Sequence, residues 1–274
     1  MKKNTICVVI PIYKGTEVSS FLASINSIIN QTLPPDEIIV IYDGYIPSLL
    51  DGEVKSLSIL YENITILKYL DNKGVGYARD FAIRNTCCTY IAIMDADDIS
   101  LPERLSIQYN FMEDNENVSL CGGLIQEVDD KNNPTSLRRV PLLYSDILKT
   151  VSIKSPVNNV TAFFKRVDYI ESGGYPYIRS SEDYALWCRF LSKKKIIINL
   201  NSILVNVKFD REALTRRGGV KHFKNDLFTQ NEMLNSKLIS HKRYIINILK
   251  YFIFRCLLTN TIKHLVYKFF LRTK

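Results

Sequence analysis

The chain has 274 residues, 46% of them hydrophobic and 23% charged, with 11 Gly and 9 Pro, which excludes a disordered or collagen-like polypeptide. That length suits one large domain, or a domain with an appendage. Net charge is +8, but the eight basic residues from Lys242 to Lys274, with no acid among them, match the whole surplus. Residues 1–241 are therefore balanced, which argues against a nucleic-acid binder, whose basic side chains would spread over the folded face.

No signal peptide is expected: the segment after Met1 is short, ends in Pro11 and lacks a small-residue cleavage site. The six cysteines show no metal-ligand spacing, and the adjacent Cys87 and Cys88 are poorly placed to pair. The thiols are read as reduced and the protein as cytosolic.

"TICVVIPIY" (residues 5–13) is a β-branched apolar run that ends at Pro11, a strand entering a loop. "SSFLASINSIINQT" then places Phe21, Leu22, Ile25, Ile28 and Ile29 on one helical face. "DEIIVIYDG" is a second strand that ends in an acid and a glycine, and "ITILKYL" is a third. "DNKGVGYARDFAIRNT" follows as a glycine loop opening a helix, and "TYIAIMD" is the fourth strand. Ser100 and Glu103 in "SLPERL" are spaced as a capping box that would start the next helix. Farther on, "CGGLIQEVDD" and "NVTAFFKRV" read as strands. "SGGYPYIRSSEDYALWCRFLSKK" reads as a loop feeding a helix, and "KIIINLNSILVNVKF" as further strands. No internal repeat or long linker interrupts them.

Strands alternating with helices predict an α/β fold, with a mostly parallel sheet and helices on both faces. Ligands of such sheets bind outside the carboxyl ends of the strands. Pro11 and Tyr13, Asp43, Asp71, and the group Asp95, Asp97 and Asp98 all fall at such ends. Three acids in four positions repel one another unless a cation or strong hydrogen bonds compensate. Asp95 and Asp97, flanking Ala96, with Asp98 adjacent, suit Mg²⁺ or Mn²⁺, which complete their shells with water and substrate phosphates. The alternative is a solvated acidic turn.

Gly74 and Gly76, with Asp95 about twenty residues on, partly match a dinucleotide fingerprint. Arg79 stands where the third glycine would let helix and strand approach, so a dehydrogenase site is set aside. The loop is placed along a nucleotide instead, with Lys73 or Arg79 near base or phosphate. The other reading is an ordinary βα turn with Arg79 solvated. In "SSEDYALWCRF", Glu182 and Asp183 sit at the start of a helix whose apolar face holds Tyr184, Leu186, Trp187, Phe190 and Leu191. Those acids could serve the helix dipole, or one could face a cleft as a general base.

The ordered series "VVIPIYKGTE", "EIIVIYDG", "NKGVGYARDFAI", "YIAIMDADDISLPERL", "SPVNNVTAFFKR", "SGGY", "SSEDYALWCRF" and "RRGG" resembles the inverting family 2 glycosyltransferases of GT-A fold. It is most similar to bacterial enzymes of O-antigen and exopolysaccharide assembly, over roughly residues 4–230. The resemblance implies a UDP-sugar donor, a divalent metal and direct displacement at the anomeric carbon. It assigns Pro11, Tyr13 and Glu17 to the first nucleotide-contacting loop and Asp43 to the uracil or ribose region. Tyr42 and Tyr45 stand where the family usually has an acid and a serine. Lys73, Gly74, Arg79, Asp95 and Ala96 are counted with these in the nucleotide-sugar site, and the resemblance assigns Asp95 and Asp97, with Asp98 as a further ligand, to the metal. Asp183 corresponds to the catalytic base, with Glu182 supporting it. Arg216 and Arg217 correspond to a loop closing over the diphosphate, and Asn158 and Asn159 occupy a segment associated with acceptor contacts.

These readings divide the chain into a catalytic domain (1–241) and a basic amphipathic tail (242–274). The nucleotide-sugar half of the domain is about 1–100, and the acceptor half about 101–241. Lys250 and Arg255 interrupt the tail before the about 20 apolar residues a spanning helix needs. It is read as a helix or helix pair lying on an anionic membrane surface, or else packed on the catalytic domain. The expected protein is a cytoplasmic enzyme on the inner face of the cell membrane, whose acceptor is a lipid-diphosphate-linked saccharide. Two rivals are a metal-dependent nucleotidyltransferase and an inactive sugar-nucleotide-binding or scaffold protein. The first would need a Gly- and Arg-rich loop after the first strand, which "PIYKGTEV" does not supply; the second predicts loss of Asp97 or Asp183.

Overall fold

The computed structural model describes residues 4–129, 131–208 and 219–258. The first half runs β1 (Ile6–Ile12), α1 (Val18–Ile29), β2 (Glu37–Asp43), α2 (Ser48–Leu60), β3 (Ile64–Tyr69), α3 (Val75–Arg84) and β4 (Tyr90–Ile93). Then come β5 (Ile99–Ser100), α4 (Arg104–Asp114), β6 (Val118–Val128), β7 (Pro134–Arg138), α5 (Tyr144–Thr150), β8 (Phe163–Lys165) and α6 (Arg166–Glu171). The chain continues through α7 (Glu182–Ser192), β9 (Ile196–Lys208), α8 (Val220–Asn235) and α9 (His241–Phe252).

All of these strands join one sheet in the order β3-β2-β1-β4-β8-β6-β9-β5, with β7 added against β6. The first four are mutually parallel. Beyond β4 the ladders are antiparallel except for β6 on β9, so the expectation of a mostly parallel sheet holds for the first half and the whole is mixed. Strand β1 is buried on both faces, which is why it reads as one continuous apolar run. Ile6, Val8 and Ile10 pack with Phe21 and Ile25 of α1 and Leu50 and Val54 of α2. Cys7 and Val9 face the other way, towards Ala78 and Ala82 of α3 and Trp187 of α7.

From β1 the chain moves to one side for β2 and β3 and to the other for β4. That reversal leaves a crevice outside the carboxyl ends of β1 and β4, the place where open α/β sheets bind ligands.

Three local expectations are revised. The capping box does not form: α4 begins at Arg104, with no side-chain cap from Glu103. Ser100 instead pairs with Val205 in the sheet, and its N–H donates to Ser27 Oγ (3.0 Å). Gln31, at the end of α1, takes over the capping role and accepts from the Leu105 N–H (3.0 Å). "NVTAFFKRV" is strand only over Phe163–Lys165, with a 3₁₀ turn before it and α6 after it. "KIIINLNSILVNVKF" forms a single 13-residue strand, whose register shifts against β6 let it bend. No helix among the described residues is long and apolar enough to cross a membrane.

Gly44 closes β2 at φ +85°, and a Cβ there would lie 2.7 Å from the backbone nitrogen of Asn72. Both the conformation and the close approach require glycine. Gly44→Ala should therefore lower stability by about 1–3 kcal/mol, measured by denaturant unfolding. It should also push the loop of residues 71–74 away from β2.

Candidate active site

The acids after β4 stand at the crevice. Strand β4 is tied to β1 by the Met94 N–H donating to the Val9 carbonyl (3.1 Å), and the Asp95 carbonyl accepts from Ser24 Oγ of α1 (2.8 Å). Beyond this anchor Asp95 is half-buried and Asp97 exposed, while Ala96 and Asp98 are buried.

Arg79, on α3, enters from beneath and is 3% exposed. Its guanidinium donates to Asp95 Oδ1 (2.5 Å) and to Glu182 Oε1 (3.3 Å). The Asn159 amide completes the cage when its oxygen faces Arg79, 3.1 Å from both terminal nitrogens, and its nitrogen faces Tyr175 Oη at 3.1 Å. The Tyr175 ring lies 5.8 Å from the guanidinium carbon. One cation thus joins an acid from the end of β4 to an acid from the start of α7, and Glu182 lies 103 residues from Arg79 in the chain. Gly76 eases this approach: a Cβ there would sit 3.0 Å from Glu182 Cγ, and α3 and the Glu182 side chain would have to move apart by a few tenths of an ångström.

Glu182 and Asp183 open α7, where the dipole favours negative charge. Ser181, just before them, is left-handed (φ 59°), a strained position for a serine. It is held from α8: Ser181 Oγ donates to Asp226 Oδ1 (3.2 Å), and the neighbouring Ser180 Oγ accepts from Asn225 Nδ2 (2.7 Å). Asp226, 3% exposed, also takes Arg255 Nε at 2.7 Å. Glu182 is buried and Asp183 half-buried.

Asp43 sits at the end of β2 as expected, but its carboxylate is occupied. It accepts from Tyr69 Oη (2.9 Å), Asn72 Nδ2 (2.8 Å), and the backbone N–H groups of Lys73 (2.7 Å) and Gly74 (3.0 Å). It therefore shapes the loop that starts α3. Gly74 adopts φ +97°, and exposed Lys73 lies over the Tyr77 ring at 4.5 Å. Arg179, before α7, donates to the Asn72 side-chain oxygen (2.9 Å) and carbonyl (2.7 Å), binding this loop to the other half of the site. Pro11 is half-buried, and Tyr13 and Glu17 are exposed in the turn after β1, which is closed by the Thr16 N–H donating to the Tyr13 carbonyl (2.9 Å). Arg216 and Arg217 lie outside the described residues.

Burial pushes the Glu182 carboxyl up to about 7, the adjacent Asp183 charge adds to this, and Arg79 opposes it. Burial also works against the Arg79 charge, but Asp95, Tyr175 and Glu182 outweigh it and hold the guanidinium above its usual value. Burial, followed by the charges of Asp95 and Asp97, raises Asp98 well above the carboxylate range. Beneath this loop Arg104 is fully buried, hydrogen-bonded to the Ile93 carbonyl (2.8 Å) and Gln108 Oε1 (3.0 Å). Burial lowers it to about 10, while Asp95 and Asp98 help to keep it charged. Burial raises the Tyr175 phenol, and Asp183, Glu182 and Asp95 each add to the rise, so all three acids converge on one region.

Among the described residues no group of three or more His, Cys, Asp or Glu side chains is gathered as a metal cage. Asp97 is exposed and Asp95 half-buried, so two carboxylates two residues apart stand outside the end of β4. Two carboxylates suit a hard divalent ion that draws its remaining ligands from water and a diphosphate.

Sequence reading missed Asn159 as an Arg79 ligand, Tyr175 beside it, Asp226 behind Ser181 and Arg104 under the acids. None carries a local signal, because each acts on a residue distant in the chain.

Arg79→Met would strand Glu182 and Asp95 without a cation and should lower the unfolding free energy by about 3 kcal/mol. Adding Glu182→Gln should restore part of that loss, as read by denaturant titration. The pH dependence has a defined sign. Because the folded-state pKa of Glu182, about 7, exceeds the reference value of 4.5, the folded chain holds a proton that the unfolded chain releases between those values. Wild type should thus lose stability relative to Glu182→Gln as pH rises from 4.5 to about 7, then run parallel to it. Paired thermal melts across pH would show this.

The model of the glycosyl transferase family 2 domain matches residues 7–174. An Escherichia coli protein described as UDP-Gal:alpha-D-GlcNAc-diphosphoundecaprenol beta-1,3-galactosyltransferase is 30% identical over 246 residues, 89% of this chain and 88% of that one. The amylovoran biosynthesis glycosyltransferase AmsE of Erwinia amylovora is 30% identical over 80% of this chain and 82% of its own. Among solved structures, S. aureus TarS 1-349 in complex with UDP-GlcNAc superposes with TM-score 0.69 at 17% identity, over 91% of this chain and 72% of that one. The mannosyltransferase PcManGT of Pyrobaculum calidifontis, in complex with GDP-Man and Mn²⁺, gives TM-score 0.62 at 14% identity, over 97% and 79%. The mixed sheet, the acids at its switch point and the family match agree, and the chain belongs to glycosyl transferase family 2, with the GT-A fold that this membership implies.

Proposed function

We propose that this glycosyltransferase moves a hexose or N-acetylhexosamine from a UDP-sugar to a lipid-diphosphate-linked saccharide in surface-polysaccharide assembly, with inversion at the anomeric carbon. The observation that supports this reading is that Asp95 and Glu182 meet on one buried guanidinium, which brings the acids after β4 close to the acids that open α7. The E. coli relative's acceptor is a diphosphoundecaprenol saccharide and its donor UDP-Gal, and TarS binds UDP-GlcNAc; both support the substrate classes. Membership of the family sets aside the nucleotidyltransferase reading.

Asp183 is the proposed base. It takes the proton from the acceptor hydroxyl as that oxygen attacks the anomeric carbon. The bond from that carbon to the diphosphate breaks on the opposite face, and its electron pair leaves with UDP. Glu182, held by Arg79, fixes the first turn of α7, so Asp183 is presented at one angle. Asp97, with Asp95, would hold Mn²⁺ or Mg²⁺. Such an ion, when bound, offsets the charge gathering on the departing diphosphate. Pro11, Tyr13 and Glu17 border the proposed nucleotide side, and Asp43, by fixing Lys73 and Gly74, shapes the loop beneath it. Lys73 is an exposed cation within that loop. Arg216 and Arg217 remain assigned to the diphosphate through the family resemblance alone. The acceptor's lipid places the enzyme at the inner face of the cell membrane.

Asp183→Asn should reduce transfer by at least about 10²-fold while UDP-sugar affinity stays within about twofold. Turnover near wild type would remove Asp183 from the role. Asp97→Ala should abolish the gain in UDP affinity that Mn²⁺ brings, read by calorimetry with and without the ion. An identical titration in both proteins would refute the metal assignment. UDP-Gal and UDP-GlcNAc, tested against a synthetic GlcNAc-diphospho-lipid, separate the donors.

A further inference from the structure

The C-terminal helix carries a feature that sugar transfer does not explain. Ile245, Ile246, Leu249, Phe252, Ile253 and Leu257, on α9 and the five-residue π turn after it, are 43–62% exposed. In α9 the spacing from 245 to 249 and 252 places these side chains on one stripe. The opposite side is the packed one: Asn247 is buried and donates to the Ser152 carbonyl (2.9 Å) and Gln230 Oε1 (2.8 Å). Exposed Lys242 and Lys250 border the stripe, and no Asp or Glu occurs anywhere in residues 233–258.

We propose that this face of α9 docks the enzyme on an anionic lipid bilayer. The inference rests on the reading that the acceptor is lipid-linked and names the surface that meets the lipid. At 12 residues, α9 falls well short of the about 20 that a spanning helix needs, so it lies in the plane of the interface with its stripe in the headgroup–acyl boundary. A second copy of the chain fits less well. A two-fold contact through the stripe would bring one basic, acid-free rim against its duplicate. Anionic headgroups complement that rim.

The docking face is also tied to the chemistry. Arg255, on the turn that ends the stripe, holds Asp226, and Asp226 holds Ser181, the residue before Glu182 and Asp183. The membrane contact is therefore fastened to the base-bearing end of α7, where the proposed acceptor must present its hydroxyl.

The test uses the full chain and vesicles of phosphatidylglycerol with phosphatidylethanolamine, compared with phosphatidylcholine alone. Wild type should sediment with the anionic vesicles, and Ile245→Glu/Leu249→Glu, which spares the Phe252 ring packed on Phe223, should bind at least about tenfold more weakly. Lys242→Ala and Lys250→Ala should each weaken binding about fivefold, an effect that salt removes. The Glu double variant should keep its melting temperature and its transfer to a water-soluble acceptor, while losing transfer to acceptor embedded in vesicles. Wild-type binding that the double variant retains would overturn the α9 assignment and leave the membrane reading standing. No wild-type binding, or equal binding to phosphatidylcholine, would overturn both the docking face and its charge argument. A lower melting temperature in the variant would assign the stripe to packing within the chain. A change from dimer to monomer in sedimentation velocity without lipid would assign it to self-association. Loss of transfer to the water-soluble acceptor by wild type itself would instead refute the proposed reaction.

Discussion

A buried guanidinium between two carboxylates organises this molecule. Taking Arg79 out of water is unfavourable by several kcal/mol unless its donors are met, and Asp95, Glu182 and the Asn159 amide meet them at 2.5–3.3 Å. Only its Nε is left without a partner. Because the three ligands come from the end of β4, the start of α7 and the turn before β8, the cage forms only when both halves of the sheet have folded onto α3. The site and the packing of the two halves are thus one event. Geometry explains why the cation is arginine: a lysine ammonium cannot reach two carboxylates and an amide from one planar fork.

The same device recurs at lower stakes around the crevice. Arg104 is completely buried with no carboxylate bonded to it, yet it lies close enough to Asp95 and Asp98 for their charges to support its own. It offsets part of the repulsion that three acids in four positions generate. Asp43 uses the opposite sign: one carboxylate gathers two side-chain donors and two backbone N–H groups, and thereby fixes the glycine loop that leads into Arg79. Asp97, Tyr13 and Lys73 stay exposed around the crevice while these interior charges hold the backbone beside them.

Much of this was legible in the sequence, for identifiable reasons. The strand–helix alternation of the first half, the placement of acids at strand ends and the family likeness all depend on local periodicity or ordered motifs. The paired acids of "SSEDY" were visible too. Partners acting across long separations were not. The "GVGYAR" segment shows its two glycines and an arginine in the place of a third, but nothing nearby reveals that the arginine turns inward to Glu182. Gly76 was weighed as part of a nucleotide loop, whereas its structural use is the close approach of α3 to α7. The capping-box spacing of Ser100 and Glu103 was overridden because a two-residue strand claimed Ser100 and Gln31 supplied the cap from the loop after α1. The bent thirteen-residue strand β9 read as several because polar Asn199, Asn201 and Ser202 interrupt its apolar residues; Asn199 is spent on the carbonyls of Pro141 and Pro156.

Ser181 shows how the periphery bears on the centre. A left-handed serine persists only where its surroundings over-determine it, and here two hydrogen bonds from α8 do so, at Ser180 and Ser181. Asp226, the acceptor for Ser181, would be a stranded charge at 3% exposure without Arg255, which arrives from the turn after α9. The C-terminal helices are therefore part of what sets the angle at which Glu182 and Asp183 leave the loop, although they stand at the far end of the chain from the acids after β4. A change in what supports the first turn of α7 would therefore re-aim Glu182 and Asp183 and leave the acids after β4 where they are.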